Sequence, residues 1–313
     1  MKRTDKNKKS KKLWLKIPLA IILVLVIGVG AYAYSIYHNA KETVNNKMHE
    51  QVDSIDPSVT KKKVKATEPL NILLLGVDER DNDKGRSDAL MVLSLDPTND
   101  KMQLISIPRD TRATIIGKGF EDKINHAYAY GGSDMSIATV ENFLDIDLDY
   151  YVRMNMEGLQ ELVDQLGTIS VNNEIAWKDG KYDFAVGPVE MDGDKTMHFV
   201  RMRKQDPDGD FGRTKRQRKV IEGIVDKGAS VGSVSKINGV INIMGNNMAT
   251  NLDFDDMKKL LKGYKDTRKN VVSYQMKGTG TTMKNDSGQN IYYLIVPEEE
   301  VSKVHGMIAD IKS

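Results

Sequence analysis

Three apolar runs, Leu70 to Leu75, Ala89 to Leu95 and Met102 to Ile107, follow one another closely, and only Asp96-Pro97-Thr98-Asn99-Asp100 separates the last two. Runs of that length bounded by turn residues predict buried strands, and the intervening turn makes the second and third hairpin partners. Helical signals follow. Ser133-Asp134 caps a helix presenting Ile137, Val140 and Leu144, while Met156, Leu159, Leu162, Val163 and Leu166 form a stripe that Gly167 ends. Pro297 opens a last helix with Val301, Val304 and Ile308 on one side. Strands and helices interleave without a strict βαβ repeat, which predicts one α/β domain on a central mixed sheet flanked by helices on both faces.

The N-terminus predicts where this domain resides. Residues 1–12 hold seven Lys or Arg against one Asp, and Ile17 to Ala40 contains no charged residue. A basic flank beside an uncharged stretch, with Trp14 at one end and Tyr32, Tyr34 and Tyr37 at the other, reads as a membrane span whose basic side stays in the cytoplasm. A cleaved signal peptide is the rival, since Ala31-Tyr32-Ala33 resembles a cleavage site, but the apolar run outlasts a typical signal core. The expected organisation is therefore a basic cytoplasmic tail over 1–13, a transmembrane signal anchor over 14–34, a polar stalk over 35–67 and an outer domain over 68–313. There is no cysteine, which excludes disulfides and thiolate metal sites. The net charge of +2 includes +6 from the tail, so the remainder sums to −4 and disfavours a nucleic-acid partner.

Candidate chemistry concentrates at strand ends and in one basic segment. His198 to Val220 packs eight Lys or Arg around three Asp. As an isolated charge run it would read as a solvated surface. If Arg213 to Asp226 is helical, however, Arg213, Gln217, Ile221 and Ile224 share a face, so polar donors point the same way as apolar groups. Such donors near a helix start suit a phosphate or pyrophosphate. Asp78 and Asp88 leave the ends of neighbouring strands beside Arg86. Two carboxylates with a cation suit Mg²⁺, which takes one or two carboxylates and fills its shell with water and phosphate oxygens. Arg109 exits the third strand after Pro108 at the same edge, and Lys123 follows. His126 reads as a hydrogen-bonded structural residue. No nucleophile elbow, zinc-protease motif or Walker loop is present, so the inventory favours transfer from a bound pyrophosphate over a covalent intermediate.

The motifs NILLLGVDER, RSDALM, SIPRDT, KINHAYAYGG and HFVRMRKQDPDGDFGRTKRQ resemble the LytR-CpsA-Psr family, above all its Gram-positive wall teichoic acid transferases, over Leu70 to about Val225. The resemblance implies a deep apolar pocket for a polyprenyl chain, a polar mouth for its diphosphate, and transfer of a polyprenyl-diphosphate-linked glycan to peptidoglycan. It implies that Asp78 and Asp88 hold Mg²⁺ or Mn²⁺. It further implies that Arg86, Arg109, Lys123, Arg201, Arg203, Arg213 and Gln217 bind the diphosphate, and that Asp210 accepts a proton. Arg218 replaces a second Gln of many relatives, a change expected at the pocket mouth. The implied step is attack by the 6-hydroxyl of N-acetylmuramic acid with departure of polyprenyl phosphate. A membrane-anchored regulator or polymer-binding module, and a polyprenyl diphosphate phosphatase, remain the alternative readings.

The expected topology is directly testable. A reporter that works only outside the membrane should be active when fused after Ser313 and inactive when fused at the N-terminus; a mature chain beginning near Ser35 would establish cleavage instead.

Overall fold

The computed structural model describes residues 31–78, 85–229, 234–284 and 288–309. In chain order they form helix α1 over residues 31–43, a π-helical turn Val44–Met48, α2 Pro57–Ala66, β1 Leu70–Val77, β2 Ser87–Asp96 and β3 Lys101–Ile107. The chain continues with β4 Arg112–Thr114, β5 Glu121–Lys123, α3 His126–Leu144, β6 Tyr150–Asn155, α4 Met156–Leu166, β7 Ile169–Asn173, β8 Trp177–Asp179, β9 Tyr182–Phe184 and β10 Gly187–Met191. It ends with α5 Gly193–Arg201, α6 Asp210–Ala229, α7 Val234–Asn247, β11 Met248–Thr250, α8 Phe254–Gly263, β12 Asn270–Gln275, β13 Thr279–Lys284, β14 Asn290–Ile295 and α9 Glu298–Ala309. The expected membrane span falls almost wholly outside the described residues, among which no helix is long and apolar enough to cross a membrane.

The three apolar runs form the middle of a six-stranded mixed sheet, ordered β11-β6-β1-β2-β3-β12. β2 and β3 are the expected hairpin, β1 pairs antiparallel with β2, and β6 and β12 add parallel strands beside β1 and β3. Alternation explains why the runs are continuous: neighbouring side chains serve two different cores. Leu73, Leu75 and Val77 meet Ile137 and Val140 of α3 and Val304 and Ile308 of α9 on one face. Leu70 and Ile72 meet Tyr150, Leu252 and Tyr264 on the other. A third core lies among α4, α5, α6 and the small hairpins, where Trp177 stacks on Phe184 at 4.4 Å and on Phe199 at 5.4 Å.

Helix boundaries follow local chemistry. Gly167 closes α4 with φ +93°, and α3 kinks at Gly131 and Gly132, so its straight part begins at Ser133, where the sequence places a cap. The stretch 35–67, read as a polar stalk, behaves differently from Val44 onward. Val44 and Met48 pack beside Met248, Val52 and Ile55 enter the core beneath α3, and Val64 enters the opposite core. These apolar residues are sparse among lysines, so no periodic stripe betrays them.

Asp149 fastens that segment to the sheet. Its buried carboxylate accepts from Lys63 Nζ at 2.6 Å and from the Asn71 backbone N–H at 2.9 Å, and its carbonyl accepts from Thr60 Oγ1 at 3.3 Å. Asp149→Ala leaves Lys63 and the Asn71 N–H without their acceptor and should destabilise the domain by about 3–5 kcal/mol, read by urea denaturation.

Candidate diphosphate site

The site forms where β1, β2 and β3 meet the N-terminus of α6. In the β1/β2 pair, Gly76 lies opposite Ala89 and Val77 opposite Ser87, so Asp88 is the extra residue of a bulge. A bulge re-aims its side chain. Asp88 Oδ1 consequently accepts from Arg109 Nη1 at 2.8 Å, joining the end of β3 to the start of β2. Arg109 Nη2 lies 3.7 Å from Asp210 Oδ1, Arg203 Nε 3.8 Å and Arg213 Nη2 2.9 Å from the same oxygen. Three arginines distant in sequence thus surround one carboxylate in the first turn of α6. Lys123 joins through Asp110, whose Oδ1 lies 2.6 Å from its Nζ, while Asp110 Oδ2 lies 3.7 Å from Arg109 Nε.

The electrostatics of the cluster favour an added anion. Burial works against the charge on Arg109, but attraction to Asp88, its hydrogen bond, and the charges of Asp210 and Asp110 outweigh burial and raise its pKa. Arg213 stands worse: burial, opposed by Asp210 but reinforced by repulsion from Arg109 and Arg203, lowers its pKa. The 2.9 Å approach to Asp210 is an ion pair without hydrogen-bond alignment, so Arg213 Nη2 and Nε are buried donors without a hydrogen-bond acceptor, as is Arg109 Nε. Buried donors are ordinarily satisfied. A phosphate oxygen would satisfy them and relieve the repulsion, with the positive end of the α6 dipole adding in the same direction.

One turn along α6, Gln217 lines an apolar cavity of about 230 Å³ whose other walls include Leu74, Met91, Val152, Leu162 and Ile224. The shared polar and apolar face expected of α6 is therefore present. The cavity opens between the sheet and α4 and α6, and Gly76 and Ala89 line it beside the two aspartates.

Asp78, Arg86 and Arg201 are the remaining expected residues. Asp78 follows β1, and its N–H donates to the Arg86 carbonyl at 3.2 Å, which holds the two strand ends together. Arg86, Arg201 and Arg203 are exposed. Among the described residues, no group of three or more His, Asp or Glu side chains is gathered as a metal site. Asp78 and Asp88 at one edge, next to donors awaiting an anion, nonetheless fit a cation that completes its shell with phosphate oxygens and water. His126 is held by Asp122, 2.7 Å from Nδ1, and Asp122 also accepts from Tyr130.

Several residues carrying the site escape sequence reading. Arg216 looks like part of a solvated charge run, yet it is buried and pins the loop before α6. Its Nε donates to the Phe199 carbonyl at 3.1 Å, and its remaining nitrogens bond Asp206 and the Met202 carbonyl. Its position, four residues from both Gly212 and Val220, was the available signal, because all three share a helix face. Gly212 must be glycine: a Cβ would stand 1.8 Å from Asp206 Oδ2. Arg218 is buried too, and its Nη1 donates to Ser106 Oγ at 2.8 Å and Gln275 Oε1 at 3.2 Å, binding α6 to the ends of β3 and β12.

The chain is similar to known proteins over most of its length. The LytR_cpsA_psr family model matches residues 32–309. A Bacillus licheniformis protein named polyisoprenyl-teichoic acid–peptidoglycan teichoic acid transferase TagU is 43% identical over 302 residues, covering 96% of each chain. The crystal structure of Bacillus subtilis TagU aligns with a TM-score of 0.63 at 38% identity, covering 79% of this chain and 97% of that one. A structure of TagT bound to LIIa-WTA aligns with a TM-score of 0.65 at 28% identity, covering 86% and 97%.

Proposed function

Because this chain belongs to the LytR-CpsA-Psr family, we propose that it is a transferase that moves wall teichoic acid from a polyprenyl diphosphate carrier onto peptidoglycan. The observation that carries this reading is the junction of two unlike environments. An apolar cavity has Gln217 in its wall, and one helical turn away three arginines gather around Asp210, two of them with buried donor atoms that lack an acceptor, while Lys123 joins through Asp110. A lipid tail with a diphosphate head needs both, in that order.

The cavity takes the polyprenyl chain and Arg109, Arg203, Arg213 and Lys123 hold the diphosphate, with Arg86 and Arg201 at the rim. The 6-hydroxyl of an N-acetylmuramic acid residue attacks the sugar-proximal phosphorus. Its O–P bond forms as the bridging P–O bond breaks, the bond's electron pair leaves with polyprenyl phosphate, and Asp210 receives the hydroxyl proton. Charge growing on the phosphate oxygens meets guanidinium donors already in place in a poorly solvated pocket, where such donors are most effective. Asp78 and Asp88 would hold Mg²⁺ or Mn²⁺, which supplies further charge neutralisation to the diphosphate. The donor already carries its activated linkage, so no nucleoside triphosphate is needed outside the membrane to which the N-terminal segment anchors the enzyme.

The decisive assay combines the protein with a lipid-diphosphate-linked saccharide and peptidoglycan oligomers and looks for the joined product; released phosphate without joining would identify a phosphatase. Arg109→Lys and Arg213→Lys keep the charge but lose the forked donors. Each should lower transfer by about a hundredfold or more, the scale of one lost transition-state contact. Near-normal rates in both would favour a diffuse binding surface. Asp88→Ala should abolish metal-dependent transfer and, because it also removes the nearest partner of Arg109, should lower the melting temperature; retained activity without added metal would sink the two-carboxylate assignment.

A further inference from the structure

A second cavity, a cleft of about 250 Å³ with mixed polar and apolar walls, lies against the same ionic cluster and shares Arg203 and Asp210 with it. Its walls come from the end of β3, the loop before α6, and the C-terminal third of the chain: Asp110, Asp208, Asp210, Gln275 and Tyr292 among them. The position follows from the sheet. The apolar cavity lies over β6, β1 and β2, whereas the cleft sits beside the ends of β3 and β12, and Asp88, Arg109 and Asp210 lie between the two.

In-line displacement at phosphorus requires the attacking and leaving oxygens to approach from opposite sides. The leaving polyprenyl phosphate belongs to the apolar side. The attacking hydroxyl must therefore be delivered from the other, where the cleft opens with Asp210 in its wall.

Its lining suits a sugar. Gln275 Oε1 is engaged by Arg218, but Nε2 is a buried donor with no acceptor, and Asp210 Oδ1 is a buried acceptor with no aligned donor. Buried polar atoms of that kind await a ligand or water. Tyr292 is 46% exposed at the lip, with Lys123 Nζ 6.0 Å from its ring centroid. An aromatic face, an amide donor and several carboxylates together match the C–H face, acetamido carbonyl and hydroxyls of an N-acetylated amino sugar. The lip is also held in place: the Leu294 N–H donates to the Asp110 carbonyl at 2.8 Å, so β14 is pinned to the residue that follows Arg109.

We propose that this cleft is the acceptor subsite, that it takes an N-acetylated amino-sugar unit of the glycan strand, and that Tyr292 and Gln275 position it. The proposal rests on the transfer reaction above, and its test separates the two. Binding of soluble peptidoglycan oligomers to the full-length protein in detergent is measured by calorimetry, and the KM for acceptor is measured apart from the KM for lipid-linked donor. Tyr292→Ala should weaken oligomer binding and raise the acceptor KM by about tenfold, the order of one lost contact, with the donor KM unchanged. Tyr292→Phe keeps the ring and should restore both. Gln275→Glu keeps an acceptor for Arg218 while removing the Nε2 donor, and should raise the acceptor KM with little change in melting temperature. Oligomer binding unchanged in both Tyr292→Ala and Gln275→Glu overturns the subsite whether or not transfer occurs. Weakened binding in these variants upholds the subsite even if the parent protein forms no joined product, an outcome that would instead overturn the transferase reading.

Discussion

Bringing Arg213, Arg109 and Arg203 around the single carboxylate of Asp210 is the constraint from which the architecture of the site follows. Burying Arg109 and Arg213 close together is expensive even though Asp88 and Asp110 also pair with Arg109, so the cluster is stable only while neighbouring structure enforces it. The lowered pKa of Arg213 records that tension. Enforcement comes from three directions: the β2 bulge that aims Asp88 at Arg109, the Asp110 bridge to Lys123, and the Arg216 bonds that clamp the loop ahead of α6. Such fixed positioning suits a site that must hold donors ready before charge develops.

The sheet divides labour in the same spirit. Its middle strands are apolar on both sides, yet only one face is sealed along its length by α3 and α9. On the other face α2 and α8 cover one end while α4 and α6 stand over the remainder and leave the apolar cavity. Core-like side chains such as Leu74 and Met91 thereby become the lining of an apolar cavity without any change in their chemistry. The cavity meets the ionic cluster on α6, because Arg213 and Gln217 are one turn apart.

Much of this could be read from residue order. The hairpin of β2 and β3, the Gly167 stop, the last helix after Pro297 and the mixed face of α6 rest on local periodicity and turn chemistry, which a linear sequence carries intact. The likeness of its motifs to one family also pointed to the diphosphate cluster. Arg216 was not legible in that way, since an arginine inside a charge run looks solvated until the helix is docked. Arg218, expected at the pocket mouth, instead ties α6 to β3 and β12 because its guanidinium reaches Ser106 and Gln275. The residues packed from Val44 to Val64 were missed for the opposite reason, being too sparse to form a stripe.

Sequence alone determined the three central strands, four of the helices, the absence of cysteine chemistry and the residue types at the strand ends, because propensity, periodicity and composition are local properties. Tertiary structure decided which of those residues meet. Asp110, Arg203, Asp210, Gln275 and Tyr292 come from distant parts of the chain, and the C-terminal third lies beyond the motifs that carry the family resemblance. It becomes a wall of the second cleft when β12 pairs with β3 and β14 is pinned beside Asp110. Such contacts depend on sheet order and on how α6 docks, and no local rule of chain chemistry specifies either.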